Sequence, residues 1–318
     1  MNKTIRSTLV VCLFAAVTTG TATSGASAQG TEAPDSTRML AALEFLSSDD
    51  LSGRATGSEE SAQARAYLIQ AFEDAGVLTA DTGFEFPFDI TRRGGDTLQG
   101  VNVAGWVRGT ETPDRYIVVS AHYDHVGVRR DQIYNGADDN ASGSVALLEF
   151  AYALAAEPPK HSVILALFDA EEIGLSGAKA FVADPPRPLE HIVLNVNMDM
   201  VARGDGLLWA GGAYHTPALA PVLEAVAADA PVTLRLGHDR PGAPEGDDWT
   251  NSSDHGPFHQ AGIPFVYFGV EDHPDYHRPT DDFENVDPAN FMANVRTILA
   301  AIRALDATLP LADAARPR

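Results

Sequence analysis

The stretch Tyr134-Asn135-Gly136-Ala137-Asp138-Asp139-Asn140-Ala141-Ser142-Gly143 decides how this chain is interpreted. Two acidic residues stand between small residues, and an apolar, helix-like run over residues 141–157 follows at once. A carboxylate on a tight turn at the start of a helix can point into a cleft with both oxygens free. A ligand that bridges two metal ions requires this geometry.

Other polar clusters follow apolar runs along the chain. The run at residues 116–121 leads to His122 and, two residues later, Asp124, so a predicted strand places both on one side. The later clusters are Asp169-Ala170-Glu171-Glu172, Asp199 and Tyr276-His277. Ligand sites of an open α/β sheet form outside the carboxyl ends of its strands, so we expect the clusters to converge.

Helical and strand-like patterns alternate over most of the sequence. Apolar residues recur at helical spacing in 38–46, 59–75, 141–157, 176–183, 216–228 and 290–305, whereas 84–90, 100–107, 116–121, 163–168, 192–198 and 262–269 are typical of strands. A long Gly/Pro/Asp-rich loop covers 238–254. The alternation predicts one α/β domain over residues 38–310, with ample length for a core.

Taken together and in order, these motifs resemble the co-catalytic di-zinc aminopeptidase family, which includes bacterial leucyl aminopeptidases, aminopeptidase Y, glutamate carboxypeptidase II and glutaminyl cyclase. The motifs are His122-x-Asp124, Gly136-Ala137-Asp138-Asp139-Asn140-x-Ser142-Gly143, Glu171-Glu172-x-Gly174, Asn197-x-Asp199 and Tyr276-His277-x-Pro279-Thr280. The resemblance covers roughly residues 38–306. It implies a three-layer α/β/α sandwich, a mostly parallel mixed sheet with helices on both faces.

The resemblance also implies a metal centre with two zinc ions. One ion would be held by His122, Asp139 and Asp199, and the other by Asp139, Glu172 and His277. Asp139 rather than Asp138 occupies the family's bridging position. Nitrogen and oxygen ligands without thiolate suit zinc, although manganese or cobalt also fits such a set.

The resemblance also implies catalytic roles for two further residues. Glu171 would be the general base. It would take a proton from the water that becomes the metal-bridging hydroxide, and it would return this proton to the leaving amine. Asp124 would orient His122. Taken singly, these motifs have plainer interpretations, because paired glutamates usually begin a solvated helix and His122 with Asp124 could be a surface pair.

The expected activity is aminopeptidase action on peptides with a free N-terminus. A carboxypeptidase or dipeptidase of the same family needs a cation for the terminal carboxylate, for which Arg278 and Arg240 are candidates. A glutaminyl cyclase would use a single zinc. Acidic residues in the long loop, Glu245, Asp247 and Asp248, favour an ammonium group and hence the aminopeptidase. Thr250 stands where some relatives carry an oxyanion-stabilising tyrosine, so that partner is unassigned.

The N-terminus and the charge set the remaining expectations. Lys3 and Arg6, an apolar run over 9–17 and Ala26-Ser27-Ala28 predict a signal peptide at 1–28, then a flexible leader at 29–37. The apolar run is too short to span a membrane, so a periplasmic or secreted protein is expected.

The chain has 22 basic and 44 acidic residues and a net charge of −22. This charge repels phosphate backbones, so nucleic acid is not expected as a partner.

Overall fold

A mixed β-sheet between two layers of helices places the polar clusters along one edge. The computed structural model describes residues 34–242 and 247–310, so the predicted signal peptide and most of the predicted leader lie outside the described residues. In chain order the strands are β1 (Glu85–Thr91), β2 (Thr97–Val107), β3 (Thr112–His122), β4 (Gly127–Arg129), β5 (Gln132–Tyr134), β6 (His161–Phe168), β7 (Ile192–Met198), β8 (Leu207–Gly211), β9 (Thr233–Leu236) and β10 (Phe265–Gly269).

Eight of these strands, counted over the described residues, form the main sheet in the order β1-β2-β6-β3-β7-β10-β8-β9. The central strand β3 pairs in parallel with both β6 and β7, and β10 pairs in parallel with β7. Strands β2 and β8 join antiparallel on either side of this parallel centre. The carboxyl ends of β3, β6, β7 and β10 therefore share one edge, where α/β proteins build their sites.

The helices in the described residues are α1 (Ser36–Leu46), α2 (Glu59–Asp74), α3 (Gly143–Ala156), α4 (Ser176–Ala183), α5 (Ala220–Asp229), α6 (His255–Gln260) and α7 (Pro288–Thr308). Alternate strand residues face opposite layers. On β3, Ile117 and Val119 pack with the helix residues of α1, α2, α3, α5 and α7, whereas Val118 packs with those of α4 and α6. This confirms the three-layer α/β/α architecture.

Most predicted elements are present, with shifts at their ends. Helix α1 begins at Ser36, inside the predicted leader, because the Asp35 carboxylate accepts hydrogen bonds from the backbone N–H groups of Thr37 and Arg38. The sequence interpretation missed the hairpin of β4 and β5, the short strands β8 and β9, and the six-residue helix α6. These elements are too short for a periodic pattern. In the described part of the chain, no helix has the length and hydropathy needed to cross a membrane.

Candidate metal centre

The elements at the carboxyl edge of the sheet bring the predicted side chains together. His122 ends β3, Glu171 and Glu172 follow β6, Asp199 follows β7 directly, and His277 lies on the loop after β10. Asp139 lies on the turn between β5 and α3. Residues from five distant parts of the sequence therefore meet in one place.

Asp139 lies between the two predicted groups. Its Oδ1 is 3.5 Å from Nε2 of His122, and its Oδ2 is 3.0 Å from Nε2 of His277. Both oxygens thus face ring nitrogens on opposite sides of one carboxylate. Asp138 does not take this place, because its oxygens contact Ala202 N, Ser142 Oγ and His273 Nε2 at distances of 2.6 to 3.3 Å.

On one side of Asp139 lies a group of three residues with converging ligand atoms. Nε2 of His122 is 3.3 Å from Oδ1 of Asp199, and the ligand atoms of His122, Glu171 and Asp199 all lie within 4.8 Å of one another. The predicted ligand pair and the predicted base are therefore neighbours here.

On the other side, Glu172 meets two imidazoles rather than one. Its Oε1 is 3.5 Å from Nε2 of His277 and 2.7 Å from Nδ1 of His125. The ligand atoms of His125, Asp139 and Glu172 also lie within 4.8 Å of one another. Sequence reasoning missed His125, although its position one residue after Asp124 was visible.

The residues present fit metal ions. Oε1 of Glu172 and both ring nitrogens of His125 are buried and have no hydrogen-bond partner within the described residues. Buried polar atoms are normally paired, and buried carboxylates that face each other need a cation. The donors are nitrogens and carboxylate oxygens, which is a set that zinc accepts.

The turn that carries Asp139 is held by Asp281, a residue that lies far from it in the sequence. The carboxylate of Asp281 accepts hydrogen bonds from the backbone N–H groups of Asp138 and Asp139 at 3.0 to 3.1 Å. The turn opens at Gly136, whose φ of +58° and closeness to His125, only 2.6 Å from a built Cβ, exclude a side chain. The loop that supplies His277 thus also positions the bridging candidate.

A buried arginine supports the same turn from below. Arg54 is 1% exposed, and its guanidinium donates to the carbonyls of Leu46, Tyr123, Asn135 and Gly136, the contact with Tyr123 being 2.8 Å long. Burial lowers the pKa of Arg54 to about 10, although nearby Asp124 and Asp139 oppose the shift. The group ties the end of β3 to the Asp139 turn, and no local pattern indicated it.

Asp124 lies beside His122 but uses its carboxylate elsewhere. Nδ1 of His122 is 3.1 Å from the backbone oxygen of Asp124 and 3.7 Å from its carboxylate. That carboxylate accepts hydrogen bonds from the backbone N–H of Glu171 at 3.0 Å and from the Thr56 hydroxyl at 3.3 Å. Asp124 therefore links His122 to the segment that carries Glu171.

The two neighbouring glutamates have opposite electrostatic environments. Burial raises the pKa of Glu171 well above its ordinary value, and the charges of Asp199, Asp254 and Asp124 add to the rise. Burial acts in the same direction on Glu172, but the imidazoles of His125 and His277 outweigh it and lower its pKa. The two carboxyls therefore differ in proton affinity, as expected of an acid–base residue beside a metal ligand.

A cleft of about 120 Å³ opens over these residues. Its lining residues are Asp139, Glu171, Glu172, Asp199, Met200, Trp249, Ser252, Tyr267, Val270, Asp272, Tyr276 and His277. Within the described residues, the lining contains several carboxylates and no lysine or arginine. Asp272 belongs to neither ligand group and can therefore pair with a cationic group in the cleft.

Several other candidates lie away from the cleft lining. Arg278 and Arg240 are exposed, and Asp247 and Asp248 are exposed on the long loop, while Glu245 lies outside the described residues. Thr250 is buried, contacting His215 at 3.0 Å and Asp248 at 2.5 Å.

Comparisons with known proteins place this fold and site. Residues 102–302 match the family model of peptidase family M28, and the chain belongs to that family. It is 32% identical over 196 residues to a probable glutamate carboxypeptidase, VP8, of Zea mays, covering 57% of this chain and 26% of VP8. It is 30% identical over 195 residues to aminopeptidase YwaD of Bacillus subtilis, covering 58% of this chain and 40% of YwaD. The matches thus span less than half of either relative.

Among solved structures, the chain is similar to a leucine aminopeptidase precursor from Bacteroides thetaiotaomicron. The TM-score is 0.71 at 18% identity, covering 86% of this chain and 98% of that one. At this identity the likeness establishes the fold. It confirms the predicted α/β class of the zinc-peptidase type.

Proposed function

We propose that this protein is an exported, zinc-dependent aminopeptidase that hydrolyses the first peptide bond of peptides with a free N-terminus. The observation that carries the proposal is the composition of the cleft, where the carboxylate of Asp272, which belongs to neither ligand group, lines the wall and no arginine or lysine does so among the described residues. An N-terminal ammonium needs a carboxylate partner, whereas a C-terminal carboxylate needs a cation. The exposed Arg278 and Arg240 do not line the cleft.

In this proposal, His122, Asp139 and Asp199 hold one zinc ion, and Asp139, Glu172 and His277 hold the other. When bound, the pair polarises the scissile carbonyl and lowers the pKa of the attacking water. The short distances from Asp139 to His122 and His277 support a bridging role. A cyclase with one zinc is less compatible with ligand atoms on both sides of Asp139.

Glu171 acts as the proton carrier. Its carboxyl lies next to His122 and Asp199 and lines the cleft. It takes a proton from the attacking water and delivers it to the leaving amine. Asp124 positions Glu171 by accepting the hydrogen bond from its backbone N–H at 3.0 Å.

The side chain of the first residue fits between apolar walls. Met200, Trp249, Tyr267 and Val270 line the cleft beside the metal-binding residues. Trp249 is held in place because its ring stacks on that of His238 at 3.7 Å, and Nε2 of His238 lies 3.0 Å from Glu271. A rigid aromatic wall of this kind favours apolar first residues.

A panel of matched peptides tests the function. We expect the zinc-loaded protein to release the first residue from a free peptide such as Leu-Gly-Gly and to leave the N-acetylated peptide intact. Chelation should abolish release and zinc should restore it. Release of the last residue from the N-acetylated peptide would contradict the assignment and favour a carboxypeptidase.

We infer separately that residues 1–28 direct export and that residues 38–310 act as one catalytic domain. Lys3, Arg6 and the small residues at 26–28 support the first inference. N-terminal sequencing of the protein from a bacterial periplasm or medium should begin near Gln29. An N-terminus at Met1 in the processed fraction would contradict cleavage.

A further inference from the structure

His125 belongs to neither of the ligand sets proposed above. Its side chain is 0% exposed, and neither ring nitrogen has a hydrogen-bond partner among the described residues. A buried polar group without a hydrogen-bond partner destabilises the folded state. An imidazole in this position therefore calls for a partner other than the protein's own donors and acceptors.

The contact between His125 and Glu172 is short but not directed like a hydrogen bond. Nδ1 of His125 is 2.7 Å from Oε1 of Glu172, yet both atoms lack a partner with acceptable angles. Two ligands of one ion direct their lone pairs to a shared point beside the line that joins them. A short and misaligned contact is the arrangement that such a pair produces.

The separations also fit ligands of a single ion. Zinc–ligand bonds of about 2.0–2.2 Å place neighbouring ligand atoms of a tetrahedral site roughly 3.3 Å apart. Nδ1 of His125 is 2.7 Å from Glu172 and 3.7 Å from Asp139, and Nε2 of His277 is 3.5 Å and 3.0 Å from the same two carboxylates. These distances bracket the expected value.

We propose that His125 is a further protein ligand of the second zinc ion, binding through Nδ1 together with Asp139, Glu172 and His277. The proposal rests on the metal centre of the proposed function and adds a ligand to it. His125 binds from the buried side, whereas the side chain of His277 is 40% exposed and binds from the cleft. The second site then holds two imidazoles and the first site holds one.

The number of metal-bound imidazoles tests this assignment. In the cobalt-substituted protein, each bound imidazole keeps one ring N–H, which gives a solvent-exchangeable proton signal shifted far outside the usual range. We expect three such signals, from His122, His125 and His277, and two in His125→Gln. The matched control is His273→Gln, since His273 contacts Asp138 at 3.1 Å without reaching the two ligand groups, and it should retain all three.

Two signals in the wild-type protein, unchanged in His125→Gln, would overturn the proposal. X-ray absorption of the zinc-loaded wild-type protein gives a measurement that does not depend on the folding of a variant. There, three imidazoles shared by two ions support the ligand role of His125, and two imidazoles contradict it. Neither measurement uses activity. Peptide hydrolysis with two imidazoles therefore rejects only the His125 ligand, and three imidazoles without hydrolysis reject only the aminopeptidase.

Discussion

At the scale of single residues, the roles of the adjacent Glu171 and Glu172 can be tested against each other. Glu171→Gln should lower kcat by about 10²–10⁴-fold, because the amide cannot accept a proton. A loss of this size is the usual contribution of a general base. Zinc content should stay at the wild-type level. Glu172→Gln is the matched variant. Because it alters a proposed zinc ligand, its zinc content should fall below that of the wild type. Steady-state kinetics with elemental analysis of both variants would separate the roles, and full activity in Glu171→Gln would exclude it as the base.

Arg54 is the second residue whose replacement has a clear expected outcome. Arg54→Met should reduce the free energy of unfolding by about 3–5 kcal/mol, because it removes a buried cation and leaves the four backbone carbonyls that accept its hydrogen bonds without a donor. The control is Arg115→Met, because Arg115 is exposed and donates to a single carbonyl at 3.0 Å, so its loss should change stability by less than about 0.5 kcal/mol. Urea unfolding measures both, and equal effects would contradict the account.

The sequence identified residues at strand ends far better than residues that act across the fold. His122, Asp199 and Glu171 follow apolar runs, so the period-2 pattern and the sheet rule located them together. Asp139 could be preferred over Asp138 only through the family resemblance. Arg54 escaped notice because its acceptors Tyr123 and Gly136 lie far along the chain, and a contact of that kind leaves no local pattern.

At the scale of elements, helix α6 anchors the long loop over the cleft. Nε2 of His255 lies 2.8 Å from the backbone oxygen of Trp249, and the ring packs against those of Phe265 and Tyr267. Burial lowers the pKa of His255 from 6.5 to about 4. The buried imidazole therefore stays neutral under conditions in which the unfolded chain takes up a proton.

This shift predicts a pH dependence of stability. Between pH 6.5 and 4 the unfolded state binds the additional proton, so stability decreases as the pH falls, by about 3 kcal/mol for a shift of this size. His255→Gln has no titrating group, so the difference between wild type and variant should shrink over that window and stay constant above pH 7. Urea titrations at several pH values measure it, and a constant difference throughout would contradict the shift.

At the scale of the whole molecule, the acidic centre makes stability depend on metal. Ligands that bind only the folded state at a thousand times their Kd add about 4 kcal/mol per site. Zinc should therefore raise the melting temperature by roughly 10 °C or more, given about 2–4 °C per kcal/mol for chains of this size. Calorimetry with zinc and with EDTA measures the rise. His122→Ala should show a smaller rise, and an equal melting temperature with and without zinc would contradict the metal centre.

The architecture itself was largely predictable, and the strands that were not predicted were missed for one reason. Strands β3, β6, β7 and β10 each contain a buried, mainly apolar run, so their presence and the convergence of the residues at their ends could be predicted. Strands β8 and β9 extend the sheet beyond this parallel centre and are short. Their pairing depends on neighbours already in place, and therefore on tertiary context that a local pattern does not contain.

The hydrogen bonds that the Asp139 turn donates to the carboxylate of Asp281 have a consequence for biosynthesis. A ribosome synthesises Asp139 142 residues before Asp281. A growing polypeptide therefore contains the turn before it contains either the imidazole of His277 or the carboxylate of Asp281. The proposed metal centre can therefore assemble only after the segment that carries His277 and Asp281 has been synthesised.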